Sequence, residues 1–127
     1  MTQENKELLL KDLCARLPYN IVINCTEEDD EKTNFNCFLA PDMIKDIKSE
    51  TAYWIIKPYL RPMSSMTEEE KIESLEFAWE DDYGRLASYE ENIPKYIDWL
   101  NKKMFDYRGL IPMGLALEAP KGMYNIN

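Results

Sequence analysis

Histidine is absent from the chain, and that absence removes a large part of enzyme chemistry. Without an imidazole there is no Ser-His-Asp or Cys-His triad, no imidazole general base and no His-ligated zinc or iron. Cysteine is scarce: Cys14, Cys25 and Cys37 make an odd set with no CxxC spacing, which reads as reduced thiols in an intracellular chain. Positive charge is short as well. Fifteen Lys and Arg stand against 24 Asp and Glu, a formal net charge of −9, which disfavours direct binding to nucleic-acid phosphates or anionic lipid. No apolar run approaches the ~20 residues of a membrane span, and Met1-Thr2-Gln3-Glu4-Asn5 has neither the basic nor the apolar region of a signal peptide. The expected address is the cytoplasm.

What is present argues for a packed globule. The chain has 127 residues, 45% of them hydrophobic and 12% aromatic, enough for a single domain burying about two-thirds of its unfolded surface. Residues 1–18 read as a helix with Leu9, Leu13 and Leu17 on one face, Leu10 and Cys14 beside them, and Pro18 ending it. Cys14 reads there as a small core hydrophobe.

Residues 20–57 read as the sheet region. Ile21, Ile23 and Cys25 alternate against Val22 and Asn24, and Phe35, Cys37 and Leu39 alternate in a second run. The polar stretch Thr26–Thr33 between them predicts a hairpin with a longer, solvated acidic loop that lacks the ligand spacing of an EF-hand. Cys25 and Cys37 are placed to face each other across it. Met43–Lys48 fits a helical turn and a strand equally well. Thr51–Lys57 is the clearest strand, apolar on both faces and so either central or covered by a helix on one face and a sheet layer or loop on the other, with Tyr53 and Trp54 read as core. Pro58 predicts its end, because proline lacks an N–H, and Pro62 predicts a stiff connector after it.

Residues 67–120 read as helical. Thr67 and Glu70 have the spacing of a capping box opening a helix over Thr67–Tyr83, with Ile72, Leu75, Ala78 and Trp79 as its apolar stripe and Gly84 as its stop. Its other face is acidic: Glu73, Glu76, Glu80 and Glu90 belong to a run carrying almost the whole net charge. Asn92 and Pro94 open a further helix whose core face is Ile93, Tyr96, Ile97 and Leu100. The apolar segment from Phe105 to Pro120 packs down as a short helix or irregular segment, and Lys121–Asn127 reads as a loose end. The fold class expected is α+β: an N-terminal helix, a small antiparallel sheet of three or four strands, then two or three helices.

Three blocks carry a resemblance. Residues Glu7–Tyr19, the stretch Ile56-Lys57-Pro58-Tyr59-Leu60-Arg61-Pro62-Met63-Ser64-Ser65-Met66-Thr67-Glu68-Glu69-Glu70, and Phe105–Met123 resemble a family of small uncharacterised proteins from gut Bacteroidales, common in prophages and other mobile elements. The resemblance implies an intracellular bacterial protein of phage or mobile-element origin. It implies no catalytic residue, since no activity is assigned to that family. Its members often carry a His pair just before the position of Phe105, where this chain has Lys103 and Met104.

The most suggestive polar cluster is Asp106-Tyr107-Arg108. Arg108 is suited to clamp an anion and Asp106 to act as a base, but Asp106 also fits as a cap or as the partner of Arg61 or Arg108. Gly109 and Gly114 lack the phosphate-loop spacing, and Ser64 and Ser65 have no accompanying base. The function expected is therefore a small non-catalytic interaction module whose partner is another protein. Glu73, Glu76, Glu80, Glu90, Asp106 and Arg108 are the candidate contacts, with no cofactor and no metal. Two alternatives stand beside it: an acidic nucleic-acid mimic occupying a DNA-binding host protein, and a small enzyme built around Asp106 and Arg108.

Overall fold

The first helix, α1 (Gln3–Arg16), is opened by Thr2, whose hydroxyl accepts the Asn5 amide at 3.1 Å, meeting one of the donors that a helix start leaves without an internal partner. In the computed structural model, which describes residues 2–48, 54–77, 79–80, 86–87 and 92–124, the buried face of this helix is Leu9, Asp12, Leu13 and Arg16. That is helical spacing with two charges set among the leucines. Cys14 is exposed instead of joining the core, because the stripe runs through Leu13 and Arg16 and leaves position 14 on the far side.

Beyond a 3-10 turn over Leu17–Tyr19, β1 (Val22–Glu27) and β2 (Asp30–Phe38) form an antiparallel hairpin. The ladder runs up to Glu27 opposite Asp30 with a register shift at Thr26/Glu27, so the acidic connection is a tight turn at Glu28 and Asp29 rather than a long loop. Asp30 stabilises the departure from it, accepting from the Lys32 amide and the Thr33 hydroxyl. Cys25 stands opposite Phe35 and Cys37 opposite Ile23. The two thiols are thus diagonal neighbours, not a direct pair.

After α2 (Pro41–Lys48), which resolves the ambiguous segment as a helix, comes β3 (Trp54–Leu60). The sheet order is β2-β1-β3-β6, where β6 (Leu117–Glu118) is parallel to β3. The sheet thus has four strands, within the expected three or four, but it is mixed rather than antiparallel, because its fourth strand comes from near the C-terminus and not from residues 20–57. The strand β3 continues through Pro58, which pairs with Ile23. The reason is geometric. Ile21 accepts the Leu39 amide from β2, so by alternation Ile23 also faces β2 and Pro58 opposite it faces away from β1. Its missing N–H points to the side where β6 begins only at the level of Tyr59.

The predicted helix over Thr67–Tyr83 is much shorter: α3 spans Glu68–Ser74. Turns follow, and Phe77 packs against Tyr96 and Trp99 at ring distances of 6.0 and 6.2 Å. A small hairpin of β4 (Trp79–Glu80) and β5 (Leu86–Ala87) comes next, so the region 67–120 is not wholly helical. Gly84 and the Arg85–Tyr89 connection lie outside the described residues save for positions 86 and 87.

The helix α4 (Ile93–Lys102) buries Trp99 and Leu100, while Ile93 is exposed. It ends in a Schellman motif in which Met104 takes φ 63° and the amides of Met104 and Phe105 donate to Asn101 and Leu100. Two apolar clusters result. One joins α1 to the sheet through Leu9, Leu13, Ile21, Ile23, Ile56 and Leu60. The other gathers Trp99, Leu100 and Phe105 with partly buried Met66, Phe77 and Tyr96.

Candidate functional site

The segment Phe105–Leu110 lies between these clusters, held at its start by a parallel bridge to the end of β3. The Arg61 amide donates to Met104 at 2.7 Å, and the Asp106 amide donates to Arg61 at 2.8 Å. Phe105 is fully buried, with the Arg61 guanidinium 4.2 Å above its ring and Trp99 at 5.8 Å.

Asp106 spends its carboxylate on the backbone. One oxygen accepts the Leu110 amide at 2.8 Å and the other the Ile111 amide at 2.9 Å. It closes the turn that carries Gly109 at φ 74°, a left-handed conformation that a side chain would strain. The capping reading is the one the geometry has, and neither Arg61 nor Arg108 is its ion-pair partner.

Arg108 points to α1, its Nε 3.4 Å from Asp12 Oδ1 and its guanidinium 4.8 Å from the Tyr107 ring centre. Asp12 is shared. Arg16 Nε and Nη2 reach its two oxygens at 3.0 and 3.1 Å, and Nη2 also donates to the Phe105 carbonyl at 2.6 Å. Tyr107 sits beside both guanidiniums and donates its hydroxyl to Asn101 at 2.9 Å. Asp12 and Arg16 were not singled out in the sequence. Their signal was the spacing 9, 12, 13, 16, which sets two charges on the same helical stripe as two core leucines.

A second polar centre holds the α3 start. Arg61 makes a two-pronged contact with Glu70 at 2.6 and 2.8 Å, while Glu70 accepts the Thr67 amide and Thr67 accepts the Glu70 amide. The hydrogen bond from Arg61 is the largest influence holding the Glu70 carboxyl down, to about 2 from its ordinary 4.5, against the opposing effect of burial. Beside it opens a groove of about 890 Å3, lined among others by Arg61, Thr67, Glu70, Glu118, Lys121 and Tyr124. Asp106 and Arg108 do not line it. Residue Tyr124 is no loose end: its hydroxyl accepts the Val22 amide at 3.0 Å and donates to the Tyr59 carbonyl at 2.7 Å.

Of the acidic candidates, Glu73 lies 3.6 Å from Lys103 and Glu76 is exposed. The Glu80 side chain and Glu90 lie outside the described residues. Two members of the predicted apolar stripe are turned outward, Ile72 68% and Leu75 59% exposed, while Ala78 and the Trp79 side chain lie outside the described residues. Among the described residues, no three His, Cys, Asp or Glu side chains are grouped to hold a metal, and no helix is long and apolar enough to cross a membrane. No protein-family model matches the chain, and neither a curated protein nor a solved structure matches it.

Proposed function

We propose that the protein is a small non-catalytic intracellular interaction module of phage or mobile-element origin that docks on another protein. The observation that carries this reading is the α3 surface. Ile72 and Leu75 project into solvent, amid the exposed carboxylates Glu68, Glu69, Glu73 and Glu76. Lys71 pairs with Glu68 at 3.1 Å and Lys103 lies 3.6 Å from Glu73, so carboxylates predominate around the apolar pair without being alone there. Such a surface fits a groove with an apolar floor and a Lys/Arg rim, where burial supplies affinity and the rim supplies orientation and on-rate. Asp106 and Arg108, the basis of the enzyme alternative, are held in contacts that tie the FDYRG turn to itself and to α1.

A photo-crosslinker placed at Glu69, exposed on the same helix and unchanged in every variant below, tests the reading. One partner is expected to be captured, and lost in both an Ile72→Ser/Leu75→Ser variant and a Glu73→Lys/Glu76→Lys variant. Capture that ignores both changes would contradict it. A phosphate-array mimic would behave differently, tolerating the serine changes while losing its partner when Glu73, Glu76, Glu80 and Glu90 are neutralised together.

A further inference from the structure

A different face of the molecule, remote in sequence from α3, leaves a strand edge open. The strand β2 ends the sheet on one side, with a regular ladder to β1 from Val22 opposite Phe38 to Thr26 opposite Asn34. Because the Leu39 amide donates to Ile21, alternation turns Leu39, Cys37 and Phe35 toward β1. Phe38, Asn36 and Asn34 then present their N–H and C=O groups to the open side. No strand among the described residues pairs there.

Chains normally blunt such an edge with charge, proline or a bulge. Asp30, Glu31 and Lys32 charge the hairpin end of β2, but the remainder, Thr33-Asn34-Phe35-Asn36-Cys37-Phe38, contains none of these. Phe35 is 46% exposed and meets Trp54, 38% exposed, edge-on at 5.3 Å. Phe38 is exposed on the opposite face.

The geometry points to a second copy of this chain as the occupant, added antiparallel along β2 with the two-fold axis at Phe35. Only registers that set even-numbered positions opposite even-numbered ones satisfy both open edges. Centring on Phe35 pairs Asn34 with Asn36 of the second copy, and the reverse. The two Phe35 residues then form a non-hydrogen-bonded pair, the class with the closest side chains. The Phe35–Trp54 contact is thereby doubled into a four-ring cluster. The same register sets Lys32 against the second copy's Phe38, where its aliphatic stem covers the ring.

The acidic turns fall at opposite ends of the paired strands. Each places Asp30, whose carboxylate is already held by the Lys32 amide and the Thr33 hydroxyl, level with Ala40 of the second copy. A strand of unrelated sequence satisfies the edge amides but lacks this match of Phe35 with itself.

Sedimentation velocity from micromolar to submillimolar protein, with amide exchange followed by NMR, tests this. A monomer–dimer equilibrium is expected, in which the Asn34, Asn36 and Phe38 amides gain protection as concentration rises. Phe35→Glu and Phe35→Lys each set like charges across the axis and are expected to weaken the dimer roughly tenfold or more. Mixing the two should restore association as a heterodimer. Asn34→Pro removes an outward amide without touching the β1–β2 ladder and should give a folded monomer. Monomeric wild type with those amides exchanging freely at every concentration would overturn the proposal. So would a dimer insensitive to Phe35, or charge variants that do not recover on mixing.

Discussion

Arg16 grips Asp12 from one helical turn below, through Nε at 3.0 Å and Nη2 at 3.1 Å, with both side chains fully buried. An i,i+4 pair on a helix surface contributes only about 0.3–0.5 kcal/mol. Buried, the same pair is a different object. Its charges have lost their water, so neither residue tolerates loss of the other. Arg108 joins it from the FDYRG turn, which gives the cluster two guanidiniums to one carboxylate. The Phe105 carbonyl takes up part of the excess.

Asp12→Asn is therefore expected to cost about 3–5 kcal/mol, because it leaves two arginines facing one neutral amide. Urea denaturation followed by circular dichroism measures this. Arg108→Gln, whose residue is only partly buried and keeps Asp12 paired to Arg16, should cost clearly less. Equal losses would mean that Arg108, not Arg16, is the principal partner.

Much of the fold was legible where local chemistry and tertiary packing agree. Thr67 and Glu70 form the capping box that their spacing announces, and the alternation of Ile21, Ile23 and Cys25 marks the buried face of β1. What escaped was set by partners distant in sequence. Pro58 reads as a strand end until one knows that β6 pairs only from Tyr59 onward. Ile72 and Leu75 read as core by period alone, yet the residue that α3 turns inward is Glu70, drawn by Arg61. Cys14 lost its inward place to Arg16 for the same kind of reason. A two-residue strand such as β6 carries no periodicity to read.

Stability in acid should track Glu70. Its folded pKa, about 2, lies below its ordinary 4.5, so the folded state binds this proton more weakly than the unfolded one. The contribution is fully present above about 4.5 and is lost as pH falls toward 2, and it amounts to on the order of 3 kcal/mol. Glu70→Gln should reduce stability at neutral pH and flatten the decline between pH 4.5 and 2. Thermal melts of the two proteins across that window check it, and parallel curves would assign the acid sensitivity to other carboxylates.

Two of the thiols should separate by rate. Burial first, then the neighbouring Cys37, pushes the Cys25 thiol up to about 12, so almost no thiolate is present near neutrality. Cys14 is exposed on α1. Iodoacetamide at pH 8 with peptide mapping is expected to alkylate Cys14 well before Cys25, the gap closing in urea. Comparable rates in the folded protein would show that the β1–β2 face opens readily.

The Tyr124 hydroxyl stands where β1 and β3 part company, bridging the Val22 amide and the Tyr59 carbonyl. Phenylalanine keeps the ring but strands both backbone groups, so Tyr124→Phe should cost about 1–3 kcal/mol. The side chain also sets an alkaline limit. Burial raises its pKa from 10.0 to about 12, and the folded state then holds the proton more tightly than the unfolded one. Its contribution is complete below pH 10 and falls away as pH rises through 12. Wild type should lose stability over that interval by more than Tyr124→Phe does, measured by chemical denaturation at stepped pH. Equal alkaline losses would place the sensitive tyrosine elsewhere and reduce the strap at residue 124 to its hydrogen bonds alone.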